Sequence, residues 1–178
     1  MSNELQLIEK AKAGSVEAFT DLVESYRGRL FRYLLTRCNN YADAEDALQD
    51  TLINAYKYLY SYNSQWRFST WLYRIAIRNL ISNRDDKVTE LGDLGDAEND
   101  PLDQAIAASE RQNLWSSARR LLNDEVYAAM WLRYAEDMSV RDIASALDRS
   151  VSWTKVNLMR GRNTLDAELA QSRSENYG

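Results

Sequence analysis

At 178 residues the chain is long enough for one domain or two small ones. It has no histidine, a single cysteine and a net charge of −5. This excludes a disulfide framework or a thiolate zinc site and removes the commonest general base from any catalytic scheme. Glycine is scarce and Pro101 is the one proline, so helices can run uninterrupted. Helical periodicity with almost no strand-type alternation predicts an all-α fold.

From the N-terminus, Glu4 to Ala13 reads as a short amphipathic helix stopped by Gly14 in the C′ position. The start, MSNELQLIEKAKAG, has no signal-peptide pattern, and no apolar run reaches membrane-spanning length. A cytoplasmic protein without membrane insertion is expected. Ser15 then caps a long helix whose inner stripe holds Phe19, Leu22, Val23, Tyr26, Leu30, Tyr33 and Leu34. Cys38 ends that helix and reads as a small packed side chain rather than a redox sensor. Asn39 and Asn40 break the pattern.

A third helix is expected from about Asp43. Its core stripe is Ala44, Ala47, Leu48, Thr51, Leu52, Ala55 and Leu59. The opposite face carries Asp46, Gln49, Asp50 and Ile53, with Asp43 and Lys57 at its edge. Helix capping accounts for carboxylates in the first turn, each stabilised by roughly 0.3–1 kcal/mol by the dipole. It leaves Asp50 and Ile53 unexplained, since they lie further in on the same outward face. That face is therefore a candidate docking surface.

An aromatic loop, Ser61 to Phe68, leads to a helix capped by Ser69 or Thr70. This helix is apolar almost all round through Trp71, Leu72, Ile75, Ala76, Ile77, Leu80 and Ile81, so it should pack on more than one neighbour. Its basic ridge is Arg74 and Arg78, next to Trp66, Arg67 and Phe68. Rings interleaved with arginines suit single-stranded nucleic acid, which offers bases to stack and phosphates to neutralise. Phe68 and Trp71 have an alternative role as core, and Asn79 is either a contact nearby or a buried polar tie between helices.

From Asp85 to about Asp100 periodicity disappears in a charged, glycine-containing stretch that reads as a flexible linker. Acidity is concentrated there: residues 1–84 carry +2, residues 85–110 carry −8 and residues 111–178 carry +1. Near-neutral flanks argue against strong autonomous DNA binding, because phosphate neutralisation supplies most sequence-independent affinity. The expected organisation is two small helical domains, 1–84 and 101–178, joined by an acidic linker at 85–100.

Asp100-Pro101 should open the second domain with a helix through Trp115 to about Leu122. Asn123-Asp124-Glu125 starts the next. Ser139-Val140-Arg141-Asp142 is a capping box before a short helix with Ile143, Ala144 and Leu147 inward. A turn at Asp148 to Ser150 and a final helix complete a helix-turn-helix pattern. The last helix should bury Val151, Thr154, Leu158, Gly161 and Leu165. It would present Ser152, Trp153, Lys155, Val156, Met159 and Arg160 outward. Apolar side chains beside Lys and Arg suit a major groove, where thymine methyls and guanine edges are read.

DAEDALQD followed by FSTWLYRIAIRNL, with TKVNLMRGR near the C-terminus, resembles the extracytoplasmic-function sigma factors of bacterial RNA polymerase. The resemblance covers about residues 15–84 and 110–165. It implies that Asp43, Asp46, Gln49, Asp50 and Ile53 dock on core polymerase, principally a basic coiled coil of the beta-prime subunit, with the beta subunit also a partner. It implies minus-10 promoter contacts from Trp66, Arg67, Phe68, Arg74, Arg78 and Asn79, with a flipped base trapped in the loop. Extrusion costs a few kcal/mol and stacking returns about 1–3 kcal/mol per base, so two good partners roughly cancel the cost.

The same resemblance implies minus-35 contacts from Arg133, Ser150, Ser152, Trp153, Lys155, Val156, Met159 and Arg160. It further implies control by an anti-sigma factor. With no histidine, no Gly-rich phosphate loop and no nucleophile paired with a base, no enzymatic activity, cofactor or metal is expected. Within the linker, acidic groups either solvate a tether or mimic RNA phosphates in the exit path. This chain departs from the family pattern at Asn123 (usually Pro), Trp153 (usually Thr), Thr154 (usually Val) and Gly161 (usually Ala). Gly costs about 1 kcal/mol against Ala in a helix. Trp153 either changes promoter preference or packs sideways on its own domain. A free-standing helix-turn-helix repressor would explain the last third but not the Asp43–Arg84 constellation. A mimic that only sequesters an anti-sigma factor would not need Arg67, Arg74, Lys155 and Arg160.

Overall fold

A computed structural model describes residues 2–86 and 110–177. The chain divides into two compact units, Met1–Gly95 and Asp96–Gly178. The described residues form helices, and no strand occurs among them.

In the first unit, α1 is Asn3–Lys12, α2 is Val16–Arg37, α3 is Tyr41–Lys57 and α4 is Phe68–Asp86, with a 3-10 turn at Leu59–Ser61. Side-chain caps start three of them. Ser2 accepts from Leu5 N–H, Ser15 from Ala18 N–H and Asn40 from Asp43 N–H. Gly14, as expected, adopts a left-handed φ of 106° just after α1, where a side chain would be strained. Its N–H donates to Ala11 O, and Ser15 N–H donates to Lys10 O.

The antiparallel order packs α1 on α2, α2 on α3 and α4, and α3 on α4. Leu22, Leu30, Leu34, Leu72 and Tyr73 are fully buried at the centre, where Tyr33 meets Tyr73 edge-on at 6.0 Å. Burying a leucine-sized side chain stabilises by about 1.5–3 kcal/mol, so this cluster dominates the unit's stability.

Two starts differ from the sequence expectation. Helix α3 begins at Tyr41, not Asp43, because Asn40 supplies the cap. Helix α4 begins at Phe68, which places Ser69 and Thr70 inside its first turn rather than at its cap. It also runs through Asp85 and Asp86, two residues into the expected linker. The rest of that linker and the Asp100-Pro101 opening lie outside the described residues.

In the second unit, α5 is Glu110–Leu121, α6 is Asp124–Tyr134, α7 is Val140–Leu147 and α8 is Val151–Asn176. Helix α6 is the axle: Val126 to Leu132 are all buried, and α5, α7 and α8 pack round it. Trp115 of α5 closes on Trp131 at 4.8 Å and on Tyr127 at 5.7 Å. Asn123, which stands where the family usually has proline, caps α6 by accepting from Val126 N–H. Ser139 caps α7 through Asp142 N–H. Asp148 then takes a left-handed conformation at φ 55°, and Arg149 N–H returns to Ala144 O. That tight reversal, with Ser150 capping α8, aims the last helix. Of its expected inner stripe, Thr154, Leu158, Gly161 and Leu165 are buried. Val151 is 42% exposed.

Candidate functional site

On α3 the split between faces follows the periodicity. Ala44, Leu48, Thr51 and Ala55 are buried, while Asp46, Gln49, Asp50 and Ile53 are exposed. Ile53 is 62% exposed amid polar neighbours, an apolar spot that a solvated surface does not require. Asp43 is different: its N–H donates to Asn40 Oδ1 at 2.8 Å, and Asn40 Nδ2 donates to its carboxylate at 3.2 Å. Capping therefore explains Asp43 but not Asp46, Asp50 or Ile53, which start a turn later.

The loop before α4 is organised by Tyr62, which sequence reasoning missed. Its hydroxyl donates to Trp66 O at 2.5 Å, and Lys12 Nζ donates to Tyr62 O at 3.0 Å. The buried Tyr62 ring packs on Phe68 and Trp71, each at 5.5 Å. Burial, with the nearby Glu4 carboxylate, raises its pKa and keeps the hydroxyl a donor. Nothing in the local sequence separates Tyr62 from the other tyrosines of YKYLYSY; only the fold selects it.

Phe68 is corrected by this geometry. It is 2% exposed, wedged between Tyr26, Tyr62 and Trp71, and belongs to the core. A base cannot stack on it, since starting α4 at Phe68 turns its ring inward. For Asn79 the geometry supports the second of its two expected roles, the tie between helices. Its Oδ1 accepts from Asn54 Nδ2 at 3.3 Å, joining α4 to α3, and its own Nδ2 is buried without a partner. Trp71, Arg74 and Arg78 recur at three- and four-residue spacing along one side of α4, and Arg67 immediately precedes that helix at the same spacing. Arg67 and Arg78 are exposed, and Trp66, Trp71 and Arg74 are half-buried. Trp71 thus supplies the ring on this face that Phe68 does not.

On the helix-turn-helix, Ser150, Ser152, Lys155, Val156, Met159 and Arg160 are exposed on α8, with Val156 at 39% and Met159 at 48%. Arg133 is exposed, and its Nη1 donates to Met138 O at 3.0 Å, bracing the turn between α6 and α7. Trp153 is half-buried beneath the Arg149 guanidinium, which lies 5.1 Å from its ring centre. Arg149 in turn forms two hydrogen bonds to Glu125, both at 2.8 Å. Both Glu125 and Arg149 escaped the sequence reading, because their partnership spans 24 residues. Among the described residues no cluster of His, Cys, Asp and Glu fits a metal ion, and no helix is long and apolar enough to cross a membrane.

Comparisons with known proteins agree with this arrangement. The Sigma-70 region 2 family matches residues 22–88. The ECF RNA polymerase sigma factor SigW of Bacillus subtilis is 28% identical over 176 residues, covering 91% of this chain and 94% of its own. The ECF sigma-E factor of Haemophilus influenzae is 29% identical over 182 residues, covering 92% and 93%. The sigma factor RpoE of Bartonella quintana, solved in complex with the anti-sigma factor NepR, superposes with a TM-score of 0.73 at 19% identity, covering 87% of this chain and 98% of that one. At that identity the likeness bears on the fold alone. The region 2 match falls on the helices that carry the exposed acidic face of α3 and the aromatic loop, and the relatives extend the similarity across the helix-turn-helix. The Sigma-70 region 2 match and these relatives, which cover most of the chain, support an extracytoplasmic-function RNA polymerase sigma factor.

Proposed function

We propose that the chain docks on core RNA polymerase through Asp46, Gln49, Asp50 and Ile53, with Asp43 at the edge, facing the beta-prime subunit and adjoining beta. Residues 1–84 then open the minus-10 element, residues 85–100 act as a tether, and residues 101–178 read the minus-35 element. Trp66, Arg67, Trp71, Arg74 and Arg78 hold the separated strand. Trp153, Lys155, Val156, Met159 and Arg160 enter the duplex groove, with Ser150, Ser152 and Arg133 at its margins.

The observation that carries this reading is the coexistence, in one chain, of an arginine–tryptophan ridge and an outward helix face mixing Val156 and Met159 with Lys155 and Arg160. The first suits unpaired bases and the second suits groove edges. Near-neutral flanks on both sides of the acidic segment fit a subunit that borrows DNA affinity from its enzyme. Acting with polymerase places the chain in the bacterial cytoplasm. The complex of RpoE with NepR supports control of this chain by an anti-sigma factor of its own. Run-off transcription with core polymerase, with and without the chain, tests the reading. Promoter-specific transcripts are expected only when the chain is present.

A further inference from the structure

We infer that Glu125 and Arg149 are positioning residues that fix Trp153 as the reader of a thymine methyl group at one position of the minus-35 element. The inference rests on the proposed groove-reading role of α8 and assigns work to two residues outside that face. Three elements meet here: Glu125 in the first turn of α6, Arg149 in the turn after α7, and Trp153 in the first turn of α8. Arg149 Nε and Nη2 each bond one Glu125 carboxylate oxygen at 2.8 Å, a fork-to-fork pairing that fixes the guanidinium plane. The Arg149 Cζ lies over the Trp153 ring, 5.1 Å from its centre, so one cation engages both Glu125 and Trp153.

The consequence for Trp153 is restraint of its ring. It is half-buried, and its backbone is set by the Ser150 cap, whose Oγ accepts Trp153 N–H at 3.0 Å. Side chains in the first turn of a recognition helix are those that approach base edges. An indole offers a broad apolar surface and a single N–H donor; the apolar surface, which makes up most of it, matches the thymine methyl of the major groove. Without Glu125, Arg149 is free to swing toward a phosphate, and the ring loses its cover. The restraint therefore governs which base is preferred rather than how tightly the backbone is held.

The test uses holoenzyme assembled from core polymerase and the full chain, on promoter DNA in which each minus-35 thymine is replaced in turn by deoxyuracil, removing only the methyl. Wild type is expected to initiate several-fold less well on one of these templates. Trp153→Ala, Arg149→Ala and Glu125→Ala should each bring the thymine-to-uracil ratio at that position close to one, while the response to the other minus-35 positions persists. Melting temperatures of the variants control for folding. The inference is overturned if Glu125→Ala and Arg149→Ala keep the wild-type ratio, or if wild type shows no methyl preference at any position. Indifference of wild type to the entire minus-35 sequence would reject the groove-reading role itself, a separate failure that the same template series reveals.

Discussion

A Cβ on Gly161 would lie 3.0 Å from Met130 Sδ and 3.1 Å from Met130 Cγ, with Val126 Cγ1 at 3.3 Å. Helix α8 therefore approaches α6 more closely than an alanine at this position tolerates without movement. Gly161→Ala gains about 1 kcal/mol of helix propensity but must displace Met130. We expect net destabilisation in the wild-type background. In a Met130→Ala background the same change should stabilise, because the displaced atoms are gone. Chemical denaturation of the four proteins of this double-mutant cycle measures the sign reversal.

Asp46→Arg should weaken binding to core polymerase while leaving the fold intact, since the residue is exposed and outside the Asn40–Asp43 cap. Co-purification with core, alongside an unchanged melting curve, is the check. Asp43→Ala should instead lower the melting temperature, because it breaks half of the cap.

Phe68→Ala and Trp66→Ala should separate stability from promoter opening. Removing the buried Phe68 ring is expected to cost about 3–5 kcal/mol in unfolding free energy. Trp66→Ala should cost clearly less stability than Phe68→Ala and reduce strand opening, read by permanganate reactivity of minus-10 thymines in the holoenzyme complex.

The double variant Lys155→Ala with Arg160→Ala should lose the minus-35 contribution and keep core binding, as both side chains are exposed on the outer face of α8. Comparing transcription from templates with intact and scrambled minus-35 elements tests this. The variant should no longer distinguish them.

Tyr26 donates to Glu4, and burial, followed by that hydrogen bond, raises its pKa well above the ordinary tyrosine value. Above about pH 10 the unfolded chain releases this proton while the native chain retains it. The native state then binds more protons, so the contribution is complete below that pH and declines as pH rises toward the raised value. Tyr26→Phe should be less stable at neutral pH and show a shallower loss of stability above about pH 10 in denaturation midpoints.

Much of the fold was legible because it depends on periodicity and caps. The split of α3 into a buried Ala44–Leu48–Thr51–Ala55 side and an exposed Asp46–Asp50–Ile53 side follows from 3.6 residues per turn. Ser15, Asn123 and Ser139 start their helices as their side chains predict. What escaped was long-range. Phe68 faces inward because Tyr62 and Tyr26 surround it, and Asn79 is engaged because Asn54 lies opposite on another helix. Arg149 reads as an ordinary turn residue until Glu125 is brought to it by the packing of α6 against α7 and α8. Local patterns contain no information about such pairings.

Transcription in vitro probes the central claim most directly. Core polymerase supplemented with the purified chain and genomic DNA should yield discrete start sites preceded by shared minus-10 and minus-35 sequences. Transcripts indistinguishable from those of core polymerase alone, with no complex recovered between chain and core, would contradict the account.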